Sequence, residues 1–163
     1  MTAVTGAGFG PPEGTGSRDL LALPADVKAS IRILIVDDER TLRESCASVL
    51  RGEGYTVTLA GRGEEAMEFV RRRQFDLVLV DLFMSQVSGL EILNAALEAH
   101  RDTLVVVMTG NPTVSSSIEA LRMGAWDYLP KPFSATHLQV LIGRASHAIL
   151  KGREANDLRQ QVM

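Results

Sequence analysis

Short apolar segments alternate five times with segments of helical periodicity between residue 31 and about residue 150. The apolar segments resemble strands buried in a sheet, and the intervening segments space their apolar residues as amphipathic helices do. This alternation predicts an α/β domain with a parallel sheet covered on both faces. Strands are predicted at Ile31–Val36, Tyr55–Leu59 (an edge strand), Leu77–Val80, Leu104–Met108 and Trp126–Leu129, and helices at Arg40–Glu53, Glu64–Arg73, Leu90–His100, Val114–Met123 and from an N-cap at Ser134 to about Leu150.

The segments that flank this alternation differ from it in composition. Residues 1–30 are rich in Gly, Pro, Thr and Ala, so we expect a flexible N-terminal arm with a short helical turn around Asp26–Ala29. Residues 151–163 keep a helical pattern that Gly152 is expected to interrupt, which favours a solvated helical linker over a coiled coil. Residues 31–150 are predicted to form the single folded domain.

Composition limits the classes of partner. The 17 basic and 20 acidic residues leave a net charge of −3, which is too small to indicate binding to nucleic acid or to an anionic membrane. No segment approaches the roughly 18 apolar residues of a membrane span, and no secretory signal is present, so we expect a cytoplasmic location. The single cysteine, Cys46, excludes a disulfide framework and is predicted to be a core residue on a helix.

Polar side chains follow four of the five predicted strands. They are Asp37 and Asp38 after the first strand, Asp81 after the third, Thr109 after the fourth and Lys131 after the fifth. Taken singly, each has an ordinary interpretation, such as a helix N-cap for an aspartate or a solvated charge for the lysine. Because open parallel sheets bind ligands outside the carboxyl ends of their strands, we expect these side chains to converge on one edge.

Three carboxylates at one edge would repel one another, so either one of them binds a proton or a cation lies between them. Mg²⁺ fits such a site because it takes oxygen ligands and keeps several waters beside a phosphate. A carboxylate can itself be the nucleophile in phosphoryl transfer, and Asp81, on the middle strand in chain order, is the best candidate. The cation and the ammonium of Lys131 would then neutralise the phosphoryl oxygens.

Four motifs occur in this order along the chain: Val36-Asp37-Asp38, Val80-Asp81-Leu82-Phe83-Met84 followed by Gly89-Leu90-Glu91, Met108-Thr109-Gly110, and Gly124-Ala125-Trp126-Asp127-Tyr128-Leu129-Pro130-Lys131-Pro132-Phe133. Together they resemble the receiver domain of two-component response regulators over about residues 31–150. The stretch Glu119–Tyr128 is most similar to receivers of sigma-54-dependent transcriptional activators. The resemblance implies a flavodoxin-like, doubly wound, five-stranded parallel sheet with strand order 2-1-3-4-5.

The resemblance also implies roles for the residues at the strand ends. Asp81 is the implied phosphoacceptor, Asp38 a direct Mg²⁺ ligand and Asp37 an indirect ligand through water. The backbone carbonyl of Phe83 is expected to complete the protein ligands of the metal.

Three further residues are expected to hold and signal the phosphoryl group. By resemblance, Lys131 pairs with the phosphoryl oxygens and has a cis bond to Pro132. Thr109 is expected to donate a hydrogen bond to the phosphoryl group, and Tyr128 is the implied switch aromatic.

The loop after Asp81 departs from the family pattern at Ser85, where the family usually has proline, so a less rigid loop is expected. Phe83 and Asn111 lie two residues past Asp81 and Thr109, where the family tunes the lifetime of the phosphoryl group. The bulky side chain of Phe83 is predicted to hinder the attacking water and to slow hydrolysis.

By the same resemblance, the phosphoryl donor is a phosphohistidine on a sensor histidine kinase. The responding surface spans roughly residues 114–150, and with the C-terminal helix it forms a possible homodimer interface. The output is expected to be control of transcription, without direct nucleic-acid binding by this chain. The chain is interpreted as a phosphoacceptor that catalyses its own transfer and slow autodephosphorylation, not as an enzyme with a separate substrate.

Two other functions stay open from the sequence. An aspartate-nucleophile phosphatase of the haloacid dehalogenase type needs a second acid two residues after the nucleophile, where this chain has Phe83. A phosphorylation-independent interaction module with a vestigial site would not need the full set of polar residues. Nucleotide hydrolysis is disfavoured because there is no Walker-type glycine loop. Excision from a longer protein is favoured over a natural single-domain protein.

Overall fold

A computed structural model describes residues 22–110 and 113–162 of the chain. The N-terminal arm predicted for residues 1–30 therefore lies largely outside the described residues. The strands are β1 (Arg32–Val36), β2 (Thr56–Ala60), β3 (Leu77–Asp81), β4 (Leu104–Thr109) and β5 (Asp127–Pro130), and the helices are α1 (Ala25–Ala29), α2 (Arg40–Gly52), α3 (Gly63–Arg72), α4 (Gly89–Ala99), α5 (Val114–Arg122) and α6 (Ala135–Val162).

The five strands form one parallel sheet in the order β2-β1-β3-β4-β5, which confirms the predicted doubly wound topology. β2 is an edge strand, as its alternating sequence predicts, and its middle residues are only partly buried. β3 lies at the centre of the sheet and is buried along its whole length. The register brings the last residue of β3, Asp81, opposite Met108 of β4.

Alternate residues of the strands divide the core into two layers, one on each face of the sheet. In β1, Ile33 and Ile35 pack on one face with residues of α2 and α6, including Cys46, as predicted for this cysteine. Leu34 and Val36 pack on the other face with residues of α3, α4 and α5. Because both faces are covered, the edge at which the strands end is left open for polar side chains.

Helix α6 contacts the segment before β1 near the amino ends of the strands. The short turn predicted around Asp26–Ala29 is present as α1. The predicted interruption at Gly152 is wrong, because α6 runs through it without a break. Arg153 of α6 donates hydrogen bonds to Oγ and O of Ser30, at 2.9 and 3.1 Å, and lies 3.2 Å from Oδ1 of Asp76. These contacts hold this part of α6 against the segment before β1, and the helix continues although a glycine inside a helix costs about 1 kcal/mol.

Among residues 22–110 and 113–162, none of the helices combines the length and the apolar composition that a membrane crossing requires.

Helix α6 begins as predicted, with the amide of His137 donating to Oγ of Ser134 at 3.0 Å.

Candidate functional site

The structure brings the predicted polar residues together at the carboxyl edge of the sheet. Asp37 directly follows β1, Asp81 and Thr109 are the last residues of β3 and β4, and Lys131 directly follows β5. One carboxylate oxygen from each of Asp37, Asp38 and Asp81 lies within 4.8 Å of the other two. The parallel arrangement creates this cluster, because it places every strand end at the same edge.

Asp37 and Asp81 are buried and share the ammonium of Lys131. Its Nζ lies 2.7 Å from Oδ2 of Asp37 and 3.3 Å from Oδ2 of Asp81. The other two carboxylate oxygens accept backbone amides, from Glu39 to Asp37 at 2.8 Å and from Phe83 to Asp81 at 3.2 Å. Both aspartates are therefore held in place from two sides.

One ammonium does not balance the negative charge of this cluster. Burial raises the pKa of the Asp81 carboxyl above its ordinary value; the charge of Lys131 opposes this increase and the charge of Asp37 adds to it. Burial alone would lower the pKa of Lys131, but its contacts with Asp37 and Asp81 outweigh burial and raise that pKa. The metal-free site therefore favours additional positive charge.

This excess of negative charge predicts how the stability of the metal-free protein depends on pH. Between the ordinary pKa of Asp81 and its raised value, the folded protein binds more protons than the unfolded protein, so stability falls as pH rises. We expect Asp81→Asn to unfold at a higher temperature than the parent near neutral pH in a chelator, and this gain to shrink at about pH 3. Thermal unfolding at the two pH values measures the difference in unfolding temperature between variant and parent. A parent at least as stable as the variant near neutral pH would contradict the prediction.

The described residues fit a Mg²⁺ ion. All the candidate ligands of the cluster are oxygens, which this hard cation prefers, and Asp38 is exposed so that a hydrated ion can reach it. Oδ2 of Asp37 is fully buried. Within the described part of the chain it forms an ion pair with Lys131 but accepts no hydrogen bond of good geometry. A water held by a bound cation could donate to this oxygen.

The residues predicted to hold and signal the phosphoryl group surround the cluster. The peptide bond between Lys131 and Pro132 is cis, as the resemblance implies. The amide of Lys131 donates to the carbonyl of Thr109 at 2.7 Å, which joins the ends of β4 and β5. Thr109 is buried, and Tyr128 is half-buried, opposite Val107 of β4. Asn111 lies outside the described residues.

Gly89 is a residue of the site to which sequence reasoning gave no role. A Cβ atom at this first residue of α4 would lie 3.0 Å from the carbonyl carbon of Asp81 and 2.7 Å from Cα of Leu82. Only glycine lets the start of α4 approach the backbone of Asp81 so closely. The preceding Ser88 forms a capping box with Glu91, a Ser-x-x-Glu signal that the sequence does contain.

The chain is similar to curated proteins and spans 26% to 56% of their length. It is 31% identical over 135 residues to a putative NtrX-like response regulator of Rickettsia bellii, covering 82% of this chain and 28% of that protein. It is 38% identical over 132 residues to the response regulator MprA of Mycobacterium leprae, covering 81% of this chain and 56% of MprA. Both relatives are therefore longer than the stretch that they share with this chain.

Solved structures of similar proteins have the same fold. NtrX from Brucella abortus superposes with a TM-score of 0.74 at 32% identity, covering 80% of this chain and 30% of NtrX. The beryllofluoride-activated NtrC4 receiver domain dimer superposes with a TM-score of 0.68 at 30% identity, covering 72% of this chain and 98% of that chain. The family model for the response regulator receiver domain matches residues 33–143. The chain therefore belongs to the receiver domain family of response regulators.

Proposed function

We propose that this receiver domain accepts a phosphoryl group on Asp81 from a phosphohistidine of a sensor histidine kinase. The observation that carries this proposal is that the buried Asp81 has a carboxylate oxygen within 4.8 Å of oxygens of Asp37 and Asp38, while its Oδ2 lies 3.3 Å from the ammonium of Lys131. A carboxylate in this position has both a candidate cation site and a fixed positive charge within reach.

In the proposed reaction, a carboxylate oxygen of Asp81 forms a bond to phosphorus while the bond from phosphorus to the donor imidazole breaks. The leaving imidazole nitrogen keeps the electron pair and can bind a proton. Asp38, Asp81 and the carbonyl of Phe83 would hold Mg²⁺, with Asp37 acting through water. The cation supplies charge neutralisation at the phosphoryl oxygens, and Lys131 would move from the carboxylates to one of these oxygens.

The signal is proposed to be a shift between two conformations of the domain. A charge-assisted hydrogen bond from Thr109 to the phosphoryl group contributes about 1.5–3 kcal/mol. A change from 1:99 to 99:1 between two states needs about 5.5 kcal/mol, so Thr109 alone is insufficient. Lys131 and inward packing of Tyr128 would supply the remainder, and the surface of α5, β5 and the first half of α6 would respond.

The partner beyond the kinase and the output are proposed by analogy with two similar proteins. The NtrC4 receiver is described as a dimer and ZraR of Escherichia coli O157:H7, 40% identical over 116 residues, as a transcriptional regulatory protein. We propose a homodimer through residues 114–150 and the C-terminal helix, with transcription as the output. Residues 31–150 would be the receiver and residues 151–163 a linker, and this acidic chain would act in the cytoplasm without contacting nucleic acid itself.

Mass spectrometry of the intact protein tests the proposed function. After incubation with acetyl phosphate and Mg²⁺, the parent should gain the mass of one phosphoryl group, and excess chelator should prevent the gain. An unmodified parent that also fails to bind beryllofluoride with Mg²⁺ would instead support an interaction module with a vestigial site. Repeated turnover of a small phosphate ester such as p-nitrophenyl phosphate would instead support the phosphatase.

The side chain of Phe83 is predicted to prolong the life of the phosphorylated state. It is 58% exposed two residues after Asp81, where it can obstruct a water that approaches phosphorus. Phe83→Asn should lose its phosphoryl group several-fold faster than the parent, as measured by intact mass after removal of the donor. Leu158→Asn, a substitution at a similarly exposed apolar residue of α6, should leave the rate unchanged. Equal rates for Phe83→Asn and the parent would contradict the prediction.

A further inference from the structure

Arg43, on the second turn of α2, reaches back to the backbone of the acidic pair. Its Nη1 donates to the carbonyl oxygen of Asp37 at 2.8 Å, and the side chain is partly buried. The guanidinium also lies against Gly61, the residue after β2. A Cβ atom on Gly61 would lie 2.9 Å from Nη1 and 3.1 Å from Cζ of Arg43, so glycine is needed for this contact. Arg43 thus bridges the ends of β1 and β2.

The hydrogen bond from Arg43 orients the peptide group that connects Asp37 to Asp38. On the other side of Asp37, its amide donates to the carbonyl of Ala60 at 3.2 Å. Because the peptide group is planar, fixing the Asp37 carbonyl also fixes the direction in which Asp38 leaves the strand. Within residues 22–110 and 113–162, the carboxylate of Asp38 has no hydrogen-bond or ion-pair partner of its own, so the backbone alone directs it.

We propose that Arg43 is a positioning residue of the magnesium site, holding the 37–38 peptide so that the carboxylate of Asp38 faces the cation. This inference rests on the proposed function, because it assigns a role toward the same metal. The charge of Arg43 and its positioning hydrogen bond are expected to have opposite effects on the affinity for Mg²⁺. A guanidinium near a divalent cation repels it, so removing the charge alone would strengthen Mg²⁺ binding. Loss of positioning would weaken it.

Three variants separate the two effects by titration calorimetry with Mg²⁺. Arg43→Ala removes both the charge and the hydrogen bond. Gly61→Ala keeps the charge but displaces the guanidinium, since the end of a flexible side chain is what must move. Arg40→Ala is the matched control, because it removes another arginine from the same helix. The side chain of Arg40 is 80% exposed and pairs with Glu44 at 3.0 Å.

Arg43→Ala and Gly61→Ala are expected to raise the dissociation constant of Mg²⁺ about 10-fold, as loss of an outer partner of a metal ligand does. Arg40→Ala is expected to leave the constant unchanged or to lower it slightly. A second readout uses metal-free protein, in which the amide resonance of Asp38 should shift in Arg43→Ala and Gly61→Ala more than in Arg40→Ala. This readout does not depend on phosphorylation.

The inference is overturned if Arg43→Ala and Gly61→Ala bind Mg²⁺ as tightly as the parent or more tightly. It is equally overturned if Arg40→Ala weakens binding as much as they do. If Arg43→Ala does not fold, Gly61→Ala decides the outcome, because it retains every charged residue. A parent that binds no Mg²⁺ would overturn the proposed metal site, whereas a parent that binds Mg²⁺ with unaffected variants would overturn only the role of Arg43.

Discussion

Asp81→Asn protein is expected to keep its original mass after incubation with acetyl phosphate and Mg²⁺ under conditions that modify the parent completely. An amide oxygen is a poor nucleophile compared with a carboxylate, and the change would also replace a charged ligand of the proposed cation with a neutral amide. The rest of the edge, including Lys131 and its contact with Asp37 at 2.7 Å, is left in place. The expected effect is therefore complete loss of the phosphoryl adduct in a folded protein.

Asp76→Asn is the matched control, because Asp76 precedes β3 at the opposite end of the same strand. Oδ2 of Asp76 accepts the amide of Arg32 at 2.9 Å, so this aspartate has a structural contact far from the carboxyl edge. The Asp76→Asn protein should be modified as fully as the parent. A phosphoryl adduct on the Asp81→Asn protein would mean that another residue accepts the group, and would exclude Asp81 as the phosphoacceptor.

Gly89→Ala is expected to lower the free energy of unfolding by about 3 kcal/mol, near the upper end for an over-packed site. The added Cβ would meet backbone atoms of Asp81 and Leu82, which cannot move aside as a flexible side chain can. Relief requires the start of α4 to separate from the end of β3. Because this movement shifts the backbone of Asp81, the rate of phosphorylation should fall as well. Urea unfolding in a chelator measures the first effect.

Gly152→Ala provides the control for this substitution. Gly152 lies inside α6, and a Cβ atom there would meet nothing within 4 Å. Alanine is the better helix former, so this variant should be more stable than the parent by about 0.5–1 kcal/mol. If Gly89→Ala were as stable as Gly152→Ala, the close approach of α4 to Asp81 would not be a requirement of the site.

Sequence reasoning predicted the strands to within one residue at each end and predicted that their polar end residues converge. It succeeded because the signals are local. A short apolar run such as Leu77–Val80, repeated in alternation with helical segments, is typical of a buried strand, and an aspartate directly after it is then expected at the strand end. The parallel topology then requires Asp37, Asp81 and Lys131 to share one edge.

Other features depend on contacts between residues far apart in the chain, and sequence reasoning missed them. The arginine at position 43 looks like any charged residue on a partly exposed helix, and its contacts with Asp37 and Gly61 exist only once β1, β2 and α2 have packed. Gly152 looks like a helix breaker, but Arg153 binds Ser30, 123 residues earlier, and α6 stays continuous.

The sequence by itself determined the alternation of strands and helices and the kinds of side chain at the strand ends, since both follow from short-range periodicity. Only the tertiary structure decided how these side chains share their charges. The ion pairs of Lys131 with Asp37 and Asp81 and the hydrogen bond from Arg43 depend on distances of a few ångströms. Packing of the two core layers sets such distances, and no local pattern encodes them.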